Sequence, residues 1–376
     1  MGITKLSELI RFEAPGAISH KDVSDYTGKV IALDTSIVMN QFRAVTPSLN
    51  PLTGLFFRTL TLLEHDIKPV FVFDGRPPGE KFAALQKRAE AAGWRSFIHL
   101  GTGSLQTKKS VHLLKLLGVP VVQAPGDAEA LCAWLVREKT VEAVASEDMD
   151  TLPFGAHVLI RHLNAKKDSD IVEYSLPVLL EKLQLTHKEF VDLCILLGCD
   201  YCDKIAGLGP KRALTLIQKY RTIENVILHI NKMTYPVPNN WKYKEARKLF
   251  LDAPHAETPE LVWTEPDEEA LVEFFCRCTY VKYIFICSIL DVSPSLFHSY
   301  PLDDCIGVFR EERIRHRMAR FRHIRESKRQ QREKEMAKGH CTQTRMDDFF
   351  RVLRKREQTV EPGDCGDSNR KKHKSK

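Results

Sequence analysis

The chain reads as an α/β protein built on a mostly parallel sheet flanked by helices. Three short runs point there: Lys29-Val-Ile-Ala-Leu-Asp34, Lys68-Pro-Val-Phe-Val-Phe-Asp74 and Val141-Glu-Ala-Val-Ala-Ser-Glu-Asp-Met-Asp150. Each is almost continuously apolar, the pattern of a strand buried on both faces, and each ends in acid. Helical periodicity separates them, which calls for parallel strands joined by crossover helices. Sites on such sheets lie beyond the carboxyl ends of the strands, so Asp34, Asp74, Asp148 and Asp150 are expected along one edge.

The elements follow in order. Ile3, Leu6, Leu9 and Ile10 recur at helical spacing and predict a short amphipathic helix. Between Asp74 and Asp127 the chain is polar and basic, with Lys81, Lys87, Arg88, Arg95, Lys108 and Lys109, and Gly101-Thr-Gly-Ser interrupts it. Positive charge beside a row of acids is suited to holding phosphates. Pro125-Gly-Asp-Ala-Glu-Ala then opens a helix with Asp127 and Glu129 in its first turn. From Thr186 the pattern is helical, and Leu197-Gly-Cys-Asp200-Tyr adds a seventh carboxylate. In Ile205-Ala-Gly-Leu-Gly-Pro-Lys-Arg212, Gly207 and Gly209 precede a helix start whose N–H groups point outward, reinforced by Lys211 and Arg212. That is helix-hairpin-helix chemistry for a duplex backbone, without base readout. Residues 221–275 carry mixed helical pattern with Pro-rich turns and no chemical signal.

A single Asp after a strand is an ordinary cap or turn residue. Three strands repeating it, together with Asp127 and Glu129, are not accounted for by capping. Carboxylates gathered this closely stay ionised only with positive charge among them, and an all-oxygen donor set selects a hard divalent cation such as Mg²⁺.

With 376 residues and 43% hydrophobic content, the chain can bury a sizeable core. Its net charge of +7 is unevenly placed. From Arg310 onward 22 Lys and Arg face 11 Asp and Glu, so the remainder is slightly acidic. A basic, disordered tail on an acidic, metal-binding body suits a polyanion such as nucleic acid. The ten cysteines show no repeating pair pattern, and the N-terminus does not resemble a signal peptide, which predicts a reducing intracellular compartment. Cys199 and Cys202 form a lone C-x-x-C without a second pair at zinc spacing, a pattern that on its own does not point to a metal or redox role. Tyr280 to Leu290 is too short for a membrane span and contains Lys282. Within the tail, Gln343-Thr-Arg-Met-Asp-Asp-Phe-Phe350 places apolar side chains where there is no core to join, the mark of a docking motif.

Met-Gly-Ile at the start, Phe71-Val-Phe-Asp-Gly75, Glu147-Asp-Met-Asp150 and Leu196-Leu-Gly-Cys-Asp-Tyr201 give the chain its resemblance to the eukaryotic flap endonucleases, structure-specific 5′ nucleases of the XPG/RAD2 type. The resemblance spans about Met1 to Asp267 and resumes in the tail. It implies a PIN-like nuclease fold and two Mg²⁺ ions held by Asp34, Asp74, Asp127, Glu129, Asp148, Asp150 and Asp200. Lys81 and Arg88 would act on the scissile phosphate from an arch beside the site. DNA contacts would fall to Arg58, Asp127, Gly198, Asp200, Gly207, Gly209, Lys211 and Arg212. Gln343, Met346, Phe349 and Phe350 match the box that binds the sliding clamp PCNA, which implies a nuclear monomer, up to three per clamp trimer, acting on 5′ flaps and nicked duplex.

The organisation expected is a nuclease region over 1–95, a second over 110–250 with the hairpin motif near 200–217, an atypical insertion at 279–308, and a basic tail over 310–376. The sequence departs from the family at several places. Asp127 replaces Glu, Asn40 replaces an aromatic residue, the arch between Arg88 and Lys108 and the loop after Phe42 are short, and Thr279 to Val308 has no counterpart. Asp127, Asn40 and the short arch support a second reading: a catalytically weak accessory factor that binds branched DNA and the clamp.

Overall fold

A computed structural model describes residues 2–36, 38, 39, 41, 51–91, 105–163, 170–254, 260–277 and 311–337. Asn40, the insertion at 279–308, the middle of the short arch and the box at 343–350 lie outside these residues. The chain divides into two units, Met1–Arg322 and His323–Lys376.

The first unit is organised by one seven-stranded sheet: β1 (Ile18–Lys21), β2 (Val30–Asp34), β3 (Lys68–Phe73), β4 (Val121–Gln123), β5 (Ala143–Ala145), β6 (Val158–Arg161) and β7 (Ile171–Ser175). The strand order is β1-β7-β6-β5-β2-β3-β4. The five strands from β6 to β4 are parallel, while β7 and β1 add an antiparallel edge. Since β2 pairs with β3 on one side and β5 on the other, its carboxyl end is the point where the winding reverses. Asp34 is the last residue of β2.

Alternation along the strands feeds two cores. Ala32, Val70, Val72 and Val144 face one, while Ile31, Leu33, Phe71, Phe73 and Ala145 face the other. Helix α1 (Leu6–Glu13) packs Leu6, Leu9 and Ile10 into the first. Helix α2 (Pro51–Glu64) contributes Leu55, Phe56 and Leu60 to the second. Helix α3 (Phe82–Ala91) begins the arch region, and α4 (Leu105–Leu116) returns from it. Helices α5 (Ala128–Arg137), α6 (Leu176–Leu183), α7 (His187–Leu197), α8 (Pro210–Tyr220), α9 (Ile223–His229) and α10 (Tyr243–Leu251) line the first core. Helix α7 starts at a capping box in which Thr186 Oγ1 accepts from Glu189 N–H while Glu189 accepts from Thr186 N–H.

The basic segment begins as a folded element, which corrects the expectation of disorder from its start. Helix α11 (Glu268–Val272) leads out of the second core, and α12 (Glu311–Ala337) opens by returning to it. Ile314, Met318 and Phe321 are buried beside Leu271 and Phe275. Arg317 pairs with the buried Glu64, and Arg315 bridges Glu269 and Glu311. The sequence conceals this because arginines surround the three apolar residues. In the second unit, residues 323–337 remain helical, with Arg329 paired to Glu326 and Glu333. No helix among the described residues is long and apolar enough to cross a membrane.

Candidate active site

The acids converge because four separate elements deliver them to the carboxyl edge of the sheet. Asp34 ends β2, and Asp74 follows β3 directly. Asp127 and Glu129 begin α5, while after β5 Asp148 caps a 3₁₀ turn at Met149–Thr151 that contains Asp150. Ligand oxygens of Asp74, Asp127 and Glu129 lie within 4.8 Å of one another. Asp127 therefore joins the cluster although its side chain is shorter than the family's Glu.

Local contacts aim these carboxylates. Ser36 N–H donates to Asp34 Oδ1 at 3.1 Å and Ser146 Oγ to Asp34 Oδ2 at 3.3 Å. Ala128 N–H donates to Asp74 Oδ1 at 2.8 Å, and Ser36 Oγ donates to the other oxygen. Asp148 caps its turn by accepting from Asp150 N–H at 3.1 Å. Asp127, although at the N-cap position of α5, accepts no capping bond. Its carboxylate instead receives Lys81 Nζ at 2.9 Å and the Tyr201 hydroxyl at 2.6 Å. Glu147 turns away, accepting from His162 N–H and pairing with Arg161.

Two glycines permit the close packing of these loops. A Cβ on Gly75 would lie 2.1 Å from the Ala124 carbonyl oxygen, so only glycine lets the loop after β3 press Asp74 against the start of α5. Gly2 has φ +80°, and a Cβ there would stand 1.8 Å from Asp148 Oδ1. Residue 2, Ser36, Ser146 and Tyr201 carry no role that their sequence context announces. A glycine immediately before an apolar helix and hydroxyls flanking the acids were the only signals available.

The electrostatics suit a cation. Burial, then Asp34, Asp74 and Asp148, push the Glu129 carboxyl well above its ordinary range, against the pull of Lys81. Burial, Asp148 and Asp200 do the same to Asp150. Glu129 Oε2 and Asp150 Oδ1 are buried without a hydrogen-bond partner. Orphaned, charge-crowded oxygens with no soft donor among the expected ligands fit a hard divalent metal. Burial opposes the charge of Lys81, but Glu129, Asp127 and Asp74 outweigh it and hold the ammonium protonated.

Asp200 sits two residues beyond Gly198, which ends α7, and is half-buried. The same loop runs on to Gly207, to Gly209 at the N-cap of α8, and to the exposed Lys211 and Arg212. One connection thus bears both a carboxylate of the cluster and the hairpin motif. Arg88 falls within α3, and its side chain lies outside the described residues. Arg58 is turned inward, donating to Gln41 Oε1 at 3.0 Å and to the Leu163 carbonyl at 2.8 Å. Burial lowers its pKa to about 10 against the attraction of Glu147, and its Nε has no partner. It faces a small recess lined also by Asp34, Ser146 and Glu147.

Comparison with known proteins follows the same lines. Residues 1–93 match the XPG N-terminal domain and residues 118–200 the XPG I-region. A probable flap endonuclease 1 homolog of Danio rerio is 55% identical over 359 residues, 95% of each chain. Flap endonuclease 1 of Salmo salar is 43% identical over 73% of this chain and 82% of its own. The flap endonuclease-1 of Methanococcus jannaschii shares the fold at a TM-score of 0.61 and 22% identity, covering 83% of this chain and 97% of its own. The sheet, the acid cluster at its carboxyl edge and these matches agree: the chain belongs to the flap endonuclease family of XPG-type nucleases.

Proposed function

We propose that this protein is a structure-specific 5′ flap endonuclease of DNA replication and repair, cleaving branched DNA by two-metal phosphodiester hydrolysis. The observation that carries the reading is the close grouping of Asp74, Asp127 and Glu129 beside a largely shielded, protonated Lys81. Asp34, Asp148, Asp150 and Asp200 complete the donor set for two Mg²⁺ ions. When bound, such ions supply an activated water and offset charge on the leaving oxygen. Lys81, anchored by Asp127, directs positive charge toward the phosphate, and position 88 on α3 supplies a second cation. Tyr201 holds Asp127 in register for both tasks. Gly207, Gly209, Lys211 and Arg212 grip the duplex backbone without reading bases.

The accessory-factor reading loses one of its three supports, since Asp127 reaches the cluster despite the missing methylene. In the tail, Gln343, Met346, Phe349 and Phe350 dock to PCNA, which would concentrate the enzyme at nuclear replication sites. The test is digestion of labelled flap, nicked and single-stranded DNA with and without Mg²⁺. Cleavage of the flap near its junction, only with Mg²⁺, is expected. Binding without cleavage in Mg²⁺ would return the accessory factor, and full activity in excess chelator would reject the metal assignment.

A further inference from the structure

Two thiols lie on the loop that carries Asp200. Cys199 and Cys202 are both half-buried, and their Sγ atoms are 3.8 Å apart. Between them stand Asp200 and Tyr201, whose hydroxyl donates to Asp127. The loop is pinned on either side of the pair. Thr4 N–H donates to the Gly198 carbonyl at 3.1 Å, and Trp241 Nε1 donates to the Asp203 carbonyl. A disulfide needs its sulfurs about 2.05 Å apart, so closure draws them together by about 1.8 Å. With Gly198 and Asp203 held, the movement is confined to the two Cys side chains and the residues inside the ring.

We propose that Cys199 and Cys202 form a redox modification site, and that their closure to a disulfide displaces Asp200 and Tyr201 and lowers cleavage. The oxidant class is a peroxide. One sulfur attacks the O–O bond of hydrogen peroxide, giving a sulfenic acid and water. The second thiol then displaces the sulfenic hydroxyl, forming S–S and releasing a second water. Two electrons leave the sulfurs, and both thiol protons end in water. A dithiol reductant reverses the step through a mixed disulfide. The effect on cleavage rests on the nuclease reading, whereas formation of the bond does not.

The test uses the full-length protein, treated with hydrogen peroxide, alkylated after denaturation and digested with trypsin. The peptide spanning residues 189–204 holds Cys194, Cys199 and Cys202. It should carry one alkyl group, on Cys194, and a disulfide between the other two. Flap cleavage should fall about a hundredfold, as for an ångström-scale misplacement of catalytic groups, and recover in dithiothreitol. Cys199→Ser should cleave normally and resist peroxide. The thermal shift produced by Ca²⁺ is read in parallel and should shrink on oxidation, which scores the coupling to Asp200 without reference to cleavage. Three alkylated cysteines in that peptide, under peroxide that oxidises other thiols, would overturn the site. A disulfide that leaves both the thermal shift and cleavage unchanged would overturn the coupling.

Discussion

Lys81 Nζ lies 2.9 Å from Asp127 Oδ1, in a cleft where both side chains are largely shielded from water. The pair is a candidate unit: the acid holds the cation, and the cation neutralises one of several crowded acids. Lys81→Ala and Asp127→Ala should each slow single-turnover flap cleavage by about 10²–10³-fold, the usual loss for a transition-state charge partner. The double variant should lose little more than the worse single one, because each substitution disables the same arrangement. Multiplicative losses in the double variant would show that the two act independently.

Metal binding should also register as stability. Glu129 and Asp150 are buried beside like charges, so the metal-free fold carries a repulsion that a divalent ion removes. Mg²⁺ or Ca²⁺ at about a hundred times its dissociation constant should add about 2.7 kcal/mol. Glu129→Gln should raise the melting temperature of the metal-free protein and reduce the metal-induced shift. A variant that melts lower without metal would contradict the repulsion.

Gly2→Ala should impair cleavage without unfolding the protein. The added methyl would stand 1.8 Å from Asp148 Oδ1, and residue 2 holds φ +80°, so either the carboxylate or the chain start must move. Duplex binding in Ca²⁺ should be retained, since Lys211 and Arg212 are untouched. Unaltered cleavage by Gly2→Ala would show that the start of the chain does not shape the acid cluster.

Phe321→Ala should destabilise the fold by about 3–5 kcal/mol, as expected for emptying a buried aromatic site. Truncation after residue 337 should leave the melting temperature unchanged, whereas truncation before Glu311 should lower it sharply. Chemical denaturation of the three variants distinguishes a packed helix from a dispensable appendage.

A peptide spanning Gln343 to Phe350 should bind PCNA and lose most of its affinity when Phe349 and Phe350 both become Ala. Each ring is worth roughly 1.5–3 kcal/mol if fully desolvated. Unchanged calorimetric titration of the double variant would reject the docking role.

The sheet was legible because its strands are buried on both faces, which leaves long apolar runs, and because acid repeated at their ends. Asp34, Asp74, Asp148 and Asp150 could be read as acids of one edge for that reason, and Asp127 and Glu129 from the helix start that carries them. Asp127 was legible as one of the acids, but that its carboxylate leaves the helix uncapped and is engaged by Lys81 and Tyr201 instead is visible only in the structure. Gly2, Ser36 and Ser146 escaped because hydrogen bonding between separate loops leaves no periodic trace. The start of α12 escaped for the opposite reason: Ile314, Met318 and Phe321 do follow a helical spacing, but the surrounding arginines made the segment resemble a solvated tail.

The connection from Gly198 to Gly209 joins Asp200 to the hairpin motif by a fixed length of chain. On the proposed roles, it works as a ruler. Gripping the duplex at Lys211 and Arg212 sets how far the strand extends before it meets the acids, so the cut is measured from the double-stranded side. Lengthening the single-stranded flap should leave the site of incision unchanged, while adding residues between Asp203 and Gly207 should shift or blur it. Specificity for a junction would then come from spacing rather than from any base the protein touches.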